Sequence, residues 1–554
     1  MSEVESRLQI IPLGGLGEIG KNMTAIRYDD NIVVIDAGLM FPEEELLGID
    51  VVIPDITYLI ENQEKLKAIL LTHGHEDHVG ALPYVLKEID LPVYGSKLTL
   101  GIVEGKLKEH SLDKVNLQVV KPRDRVKIGP FEVEFFRVSH SIPDAMGIAI
   151  HTPLGIVLHT GDIKLDQTPV DGQVVDFRKL AELGEQGVLV MMSDSTNADK
   201  TGFTMSEKVV GNTFDELFGK CTGRIIVTTF ASNVHRIQQV VSTAERYGRK
   251  VAVVGRSMVN NVKISNELGY IKIPEDILIE MEDISKYPDE RVVIVTTGSQ
   301  GEPMSALTRM ATSDHRWVGI QSGDTVIISA SPIPGNEKLV ARTVDLLFRQ
   351  GAEVIYEKEM GVHVSGHASQ EELKILLNLI RPRYFIPVHG EYRHLMKHAK
   401  IAESLGIPRS RIFVADNGQI IEVGKKKANI SGKVTAGKIL VDGLGVGDVG
   451  NIVLRDRKQL SQDGIMIVVV TIGKGTGEVI AGPDIVTRGF VYVRESEQLI
   501  EDAREKVKKA LKICARRNVS EWAVIKSQIR DRLGKHLYEK TGRRPMILPI
   551  IMEV

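Results

Sequence analysis

Ala68-Ile69-Leu70-Leu71-Thr72-His73-Gly74-His75-Glu76-Asp77-His78 is the stretch that decides how this chain is read. An apolar run of strand length delivers four side chains with ligand chemistry, His73, His75, Asp77 and His78, to one short turn. Gly74 removes a side chain there, so the backbone can fold tightly and aim both imidazoles inward. Imidazole and carboxylate together suit zinc or manganese better than magnesium, which prefers oxygen alone. Four ligands are more than one tetrahedral ion takes easily from so short a segment. The pattern therefore predicts two adjacent ions, and two-metal sites hydrolyse phosphate esters and related bonds.

Outward from that turn, the chain sets bounds on what it can be. Its 554 residues give room for several cores and predict a multi-domain protein. Only Cys221 and Cys514 occur, far apart, which excludes a disulfide framework and a thiolate metal cluster. No apolar stretch reaches the roughly 20 residues of a membrane span. The acidic opening Met1-Ser2-Glu3-Val4-Glu5 lacks the basic and apolar regions of a signal peptide, so a cytoplasmic location and no membrane partner are expected. The formal net charge of -3 weighs against a strongly basic nucleic-acid binder. A cleft can still be locally positive, and metal ions supply charge where phosphates need it.

From about residue 8 to 160 short apolar runs such as Asn31–Ile35, Ala68–Leu71, Phe131–Val138 and Ile156–Leu158 alternate with Gly, Pro and Asp turns, with helical periodicity through Leu82–Leu86. Strands with helices on outer faces predict an α/β sandwich of layers. Residues 207–356 change to strand–helix alternation: strands at Arg224–Thr229, Lys250–Gly255, Val292–Thr297, Thr325–Ser329 and Glu353–Tyr356, helices at His235–Tyr247 and Glu337–Gln350. This predicts a doubly wound parallel sheet. Histidine-bearing turns return between His363 and Gly390, as an inserted domain would require. Gly424-Lys425-Lys426-Lys427 reads as a linker or a solvated turn. Beyond it, helices are expected at Ser496–Arg517 and Glu521–Thr541, and the apolar tail Pro545–Ile551 as a packed strand.

Two motifs mislead. Gly15-Leu16-Gly17-Glu18-Ile19-Gly20 matches a dinucleotide fingerprint, but Met23-Thr24-Ala25-Ile26 leads at once into the next strand, as in a hairpin. Asn22 stands where a phosphate loop needs a hydroxyl to hold magnesium. His394 and His398 share a helix face without the Glu of a metalloprotease helix, so a solvated face is expected. His110, His151, His315 and His536 stand alone and read as surface or core histidines. By contrast Asp36, His140, Asp162 and His389 each close an apolar run, one design repeated, which predicts one sheet edge collecting them all.

H-x-H-x-D-H with a later His, Asp and His resembles the metallo-β-lactamase superfamily. The insertion, with Ser193-Asp194-Ser195-Thr196, Ser365-Gly366-His367 and His389, is similar to its nucleic-acid-processing β-CASP branch, and within that branch the chain resembles the bacterial ribonuclease J family. Leu13–Asn22, Phe230-Ala231-Ser232-Asn233-(Val234)-His235-Arg236, Thr297–Pro303 and Arg543–Pro549 carry the same resemblance, which runs essentially end to end. It implies a metallo-β-lactamase αββα sandwich in two segments, 1–206 and 357–424. A doubly wound β-CASP domain at 207–356, a linker at 425–445 and a small α/β C-terminal oligomerisation domain at 446–554 would complete the chain.

By motif, His73, His75 and His140 would bind one ion, Asp77, His78 and His389 the other, with Asp162 bridging and Asp36 orienting a ligand imidazole. Two Zn2+ are implied, with Mn2+ or Mg2+ as activity partners. His367, Asp194 and Asp77 are the implied catalytic side chains, His367 contacting the scissile phosphate or protonating the leaving oxygen. Ser232, His363, Val364, Ser365, Gly366 and His367 resemble the family's pocket for RNA phosphate, including a 5′-monophosphate. The family's activity would be hydrolysis of single-stranded RNA to 5′-phosphate and 3′-hydroxyl ends, 5′→3′ exonucleolytically and endonucleolytically, in RNA decay and in rRNA and mRNA maturation. Homodimers or homotetramers through the C-terminal domain, a paralogue and an RNA-degradation complex are the implied partners. A β-CASP DNA nuclease and a non-catalytic RNA-binding scaffold beside an active paralogue are the alternatives.

Overall fold

Leu8, Ile10, Ile26, Val33, Ile35, Ala68 and Leu70 alternate along their strands and meet Phe131, Val133, Phe135, Ile148, Ile150, Val157 and Val190 in one buried core. Period-two alternation forces this result, because successive side chains leave a strand on opposite faces. The first set belongs to an eight-stranded mixed sheet, the second to a six-stranded one. Residues of opposite parity, Ile11, Leu13, Ala25, Val34 and Ile69, pack outward against Leu82, Val85, Leu100 and Val103 of the helices Leu82–Glu88 and Lys97–Glu109. On the far side Leu180 and Leu183 of the helix Phe177–Gln186 and Leu373, Leu376 and Leu377 of the helix Gln370–Ile380 cover the second sheet. The layers are helix, sheet, sheet, helix.

The computed structural model describes residues 7–43, 45–301, 305–333, 335–356, 360–425, 427–473, 478–491, 496–516 and 521–554. Met1–Glu5, Glu302 and Pro303 of the Thr297–Pro303 motif, residue 357, Lys426 and Arg517 therefore lie outside the described residues. The chain divides into two units, Met1–Phe41 with Val51–Ile439 and Pro42–Asp50 with Leu440–Val554.

Within the first unit a third sheet has six strands, all parallel, in the order Leu278–Ile279, Lys250–Val254, Val292–Thr296, Ile225–Thr228, Thr325–Ile328, Glu353–Ile355. This is the doubly wound insertion. The dinucleotide-like glycines lie between the strands Leu8–Gly14 and Met23–Tyr28, which pair antiparallel, so the hairpin reading of that motif holds. Gly424 and Lys427 close another hairpin, Gly424 N donating to the Lys427 carbonyl at 2.9 Å, between Gln419–Val423 and Ala428–Lys433. The segment expected as a linker thus carries strand Ala428–Lys433 on the edge of the first sheet and a second strand, Lys438–Asp442.

In the second unit Ile465–Ile472 is the middle strand, antiparallel to Val479–Arg488 and parallel to Met546–Glu553. Met466, Val468 and Val470 pack against Ala503, Val507, Leu511, Ile529 and Leu533 of the helices Glu497–Arg516 and Trp522–Thr541. The apolar tail is an edge strand, where Pro549 is tolerated because an edge does not require every N–H.

Candidate active site

Strand ends of the two-sheet sandwich deliver most of the candidates, while Asp77 and His78 stand on the short helix Glu76–Val79. The strand Leu66–Leu70 runs into Thr72 and His73, Asn31–Ile35 into Asp36, Gly155–His159 into Asp162, Val188–Asp194 ends on Asp194, and Tyr384–Val388 runs into His389. Asp36 and His389 take left-handed backbone, φ 60° and 54°, uncommon strain for residues with a Cβ and typical of functional turns. Gly38 permits the closest approach: a Cβ there would lie 1.6 Å from the Asp77 carbonyl oxygen. Through that gap the Asn22 and Ala37 amides reach the carbonyls of Asp77 and His78 at 3.0 and 2.8 Å, clamping the ligand turn.

Hydrogen bonds on the far nitrogens fix the near ones. The Asp36 carboxylate accepts from the Thr72 amide and hydroxyl, both at 2.8 Å, and from His78 Nδ1 at 2.7 Å. The Thr72 hydroxyl hydrogen is thereby spent, so at 3.0 Å it accepts from His73 Nδ1. His140 Nδ1 donates to the Gly366 carbonyl at 2.7 Å, and His389 Nδ1 to the Thr196 hydroxyl at 2.5 Å. Each of these imidazoles, when neutral, turns its Nε2 lone pair toward the others, that of His78 also lying 3.2 Å from Asn22 Nδ2.

Those lone pairs converge on Asp162. His73 Nε2 and His140 Nε2 each lie 3.1 Å from His75 Nδ1 and 3.6 Å from Asp162 Oδ2. On the other side His78 Nε2 is 3.2 Å from Asp162 Oδ1, and His389 Nε2 is 3.1 Å from Asp77 Oδ2. An ion about 2.0–2.1 Å from four tetrahedral donors implies donor–donor edges of about 3.3–3.4 Å, so both groups have the right size. Asp162 Oδ1 is also a buried oxygen with no hydrogen-bond partner. Buried acceptors facing one another without hydrogens between them call for a cation, and the residues fit one in each group: His73, His75, His140 and Asp162, or Asp77, His78, Asp162 and His389.

The field agrees. Burial pushes the imidazoles of His73 and His140 well down and that of His75 to about 4, keeping them neutral as ligands must be. Burial opposes charge on His78 and His389 too, but the carboxylates of Asp162 and Asp77, with Asp36 beside His78 and Asp194 beside His389, outweigh it and raise both. That same negative field attracts a divalent cation.

His367 joins the edge of this cluster. Its Nδ1 lies 2.7 Å from Asp194 Oδ2, and its ring stacks on His389 at 5.4 Å. Burial opposes a proton on His367, yet Asp194 wins and raises its pKa, so the side chain is suited to donate. Gly366 is fixed by contact: a Cβ would sit 2.6 Å from His140 Cε1. The Ser365 hydroxyl accepts from Asn197 Nδ2 at 2.8 Å. His363 and Ser232 lie apart from the metal ligands, at the insertion's sheet, joined through Arg236 on the helix Val234–Arg246 that Ser232 precedes. The helices after the adjacent strands Ile225–Thr228 and Thr325–Ile328 depart to opposite sides, and the crevice at such a switch point is where open α/β sheets bind ligands.

Sequence reasoning missed Thr72, Thr196 and the clamp made by Asn22, whose Nδ2 also donates to the Asp77 carbonyl at 3.1 Å. Asn22 and Thr196 stand inside motifs already singled out, so the signal was present without its geometry. His394 and His398 correct an expectation outright. Their helix, Tyr392–Ser404, turns both inward, 4% and 0% exposed, because it packs on Tyr384–Val388 rather than facing solvent.

Comparison with known proteins follows the same outline. Residues 16–186 match the metallo-beta-lactamase superfamily, 222–347 the beta-CASP domain of ribonuclease J, 351–413 the Zn-dependent metallo-hydrolase RNA specificity domain and 452–554 the ribonuclease J C-terminal domain. Ribonuclease J2 of Bacillus subtilis (strain 168) is 49% identical over 548 residues, 99% of each chain. Ribonuclease J 2 of Staphylococcus aureus (strain MRSA252) is 45% identical over 99% of this chain and 98% of its own. A crystal structure of a protein of unknown function from Enterococcus faecalis V583 superposes with a TM-score of 0.55 at 17% identity, covering 75% of this chain and all of that one, which bears on the fold alone. With relatives matched from end to end and two segments described under one family, the chain belongs to the ribonuclease J family.

Proposed function

We propose that this chain is a metal-dependent ribonuclease that hydrolyses single-stranded RNA to 5′-phosphate and 3′-hydroxyl ends, 5′→3′ from monophosphorylated ends and also internally, in RNA decay and maturation. The convergence of imidazole Nε2 atoms on both oxygens of Asp162 carries the hydrolytic half of this reading. His73, His75 and His140 would hold one ion, Asp77, His78 and His389 the other, with Asp162 between them. Two zinc ions, with manganese or magnesium as substitutes in activity, would supply Lewis acidity toward the scissile phosphate and lower the pKa of an attacking water.

The chain's own groups do the rest. Asp36 and Thr72 hold the ligand imidazoles in one tautomer, Asp194 holds a proton on His367, and His367 delivers a proton to the departing 3′ oxygen. Ser232 and the His363–Gly366 turn would seat the 5′-monophosphate at the helix N-terminus beside the switch point. The domain division 1–206 with 357–424, 207–356 and 446–554 assigns chemistry to the first, phosphate binding to the first and second together through the His363–Gly366 turn and Ser232, and self-association, as homodimer or homotetramer, to the third. The enzyme would work in the cytoplasm, with a paralogue or a degradation complex as partner.

The test is direct. Purified protein with zinc or manganese is given matched RNA and DNA bearing 5′-monophosphate, triphosphate or hydroxyl ends, with His75→Ala as control. Metal-dependent loss of monophosphorylated RNA, abolished in His75→Ala, is expected. Equal digestion of DNA would overturn the RNA assignment, and RNA binding without cleavage would favour a scaffold.

A further inference from the structure

Arg236 is the largest fully buried side chain described, 0% exposed, and no step above uses it. Its guanidinium makes a two-point pair with Glu207, Nε to Oε1 at 2.8 Å and Nη2 to Oε2 at 2.7 Å. Gln239 Nε2 also donates to Glu207 Oε1 at 3.3 Å, fixing the carboxylate in turn. The remaining face of the guanidinium is aimed at the turn that carries His363: Nη1 donates to the Ser329 carbonyl at 2.7 Å and to His363 Nδ1 at 2.8 Å. Nη2 reaches the Val364 carbonyl at 3.4 Å, and the Ser329 hydroxyl donates to the Val362 carbonyl at 2.6 Å.

Guanidinium has donors and no acceptor. A contact from Nη1 to His363 Nδ1 therefore demands a lone pair on Nδ1, which places the ring hydrogen on Nε2. We infer that Arg236, held by Glu207, is a positioning residue that fixes His363 as a neutral Nε2–H donor toward the terminal phosphate of an RNA 5′ end. This rests on the phosphate-pocket reading above and adds to it a tautomer and the groups that set it.

The experiment uses the full chain with zinc or manganese and RNA oligonucleotides differing only in a 5′-monophosphate or 5′-hydroxyl. The His363→Ala variant comes first: if it leaves the monophosphate preference intact, the pocket reading itself fails, whatever Arg236 does. Given a loss there, Arg236→Met is combined with Glu207→Gln, which avoids stranding a buried carboxylate. The KM for monophosphorylated RNA should rise about tenfold, as for a lost hydrogen bond to a charged group, with kcat moving far less and the preference collapsing toward one. His363→Gln, whose amide nitrogen reproduces the ε position, should keep most of the preference, and His363→Asn should lose it. In protein labelled with 15N in the histidine rings, the resonance absent from His363→Gln should report an Nε2–H tautomer, replaced by a mixture in the double variant. An Nδ1–H tautomer in the unmodified protein would overturn the proposal, as would equal losses on both substrates.

Discussion

His398 shows what burial does to a single titrating side chain. Its ring lies edge-on to Phe385 at 4.8 Å and its Nδ1 is 3.0 Å from the Ser195 hydroxyl. Burial pushes the imidazole from its ordinary 6.5 down to about 3. Between those values the unfolded chain holds a proton that the native state excludes. Stability therefore rises with pH through this window, is complete above about 6.5, and is lost as pH falls, at about 1.4 kcal/mol per pH unit for one proton. His398→Gln should remove one such increment from the slope, measured as denaturation midpoints from pH 4 to 7. Parallel slopes for the two proteins would sink the assignment. Sequence could not give this burial: four-residue spacing places His394 and His398 on one helix face, and only tertiary packing decides which way that face turns. The ligands were legible for the opposite reason. A strand end fixes where Asp36, Asp162 and His389 stand, and the chemistry of each side chain does the rest.

Glu372 does comparable work between elements. Near the start of the helix Gln370–Ile380 it completes a capping box with Ser369, a pattern visible in sequence as Ser-x-x-Glu. What sequence does not display is its reach. Oε1 accepts from the Leu165 amide at 2.8 Å, while Oε2 accepts from Thr204 and Ser369 at 2.7 and 2.8 Å. The three segments so joined include the turn after Asp162 and the loop whose Thr204 hydroxyl donates to the His367 carbonyl at 2.7 Å. With the side chain 1% exposed, water does not replace it. Glu372→Ala should cost about 3 kcal/mol, as expected for several buried amides left unpaired, and Glu372→Gln less, since one acceptor survives. Chemical denaturation measures both, and a loss under 1 kcal/mol in the alanine variant would mean the loops hold without it. Helices such as Val234–Arg246 and Glu337–Arg349 matched their periodicity to within a residue or two, because an amphipathic stripe is a local signal. The hairpin at Gly424–Lys427 was less legible, since a lysine-rich turn and a lysine-rich linker have the same composition.

At the scale of the whole molecule, the C-terminal sheet has a face turned away from its two long helices. Even-numbered residues of Ile465–Ile472 are buried against the two long helices; the odd-numbered ones, Ile465, Ile467 and Val469, lie on the other side. Strand register places Val486, Leu548 and Ile550 on that side as well, with Met552 opposite Thr471. Val486, Leu548, Ile550 and Met552 are 45%, 47%, 40% and 48% exposed, a contiguous apolar surface rather than scattered single residues. A second copy of the chain is the occupant that the proposed self-association calls for, and matching apolar faces form a closed two-fold contact without needing new chemistry. Leu548→Lys with Ile550→Glu puts charges into the face while leaving Pro549 and Ile551, which face the helices, untouched. Sedimentation should show the unaltered protein at twice the single-chain mass or more, and the double variant at the single-chain mass with its helical signal intact. If the variant sediments as the unaltered protein does, this face is not where copies meet; if the unaltered protein already sediments as one chain, the proposed self-association fails with it.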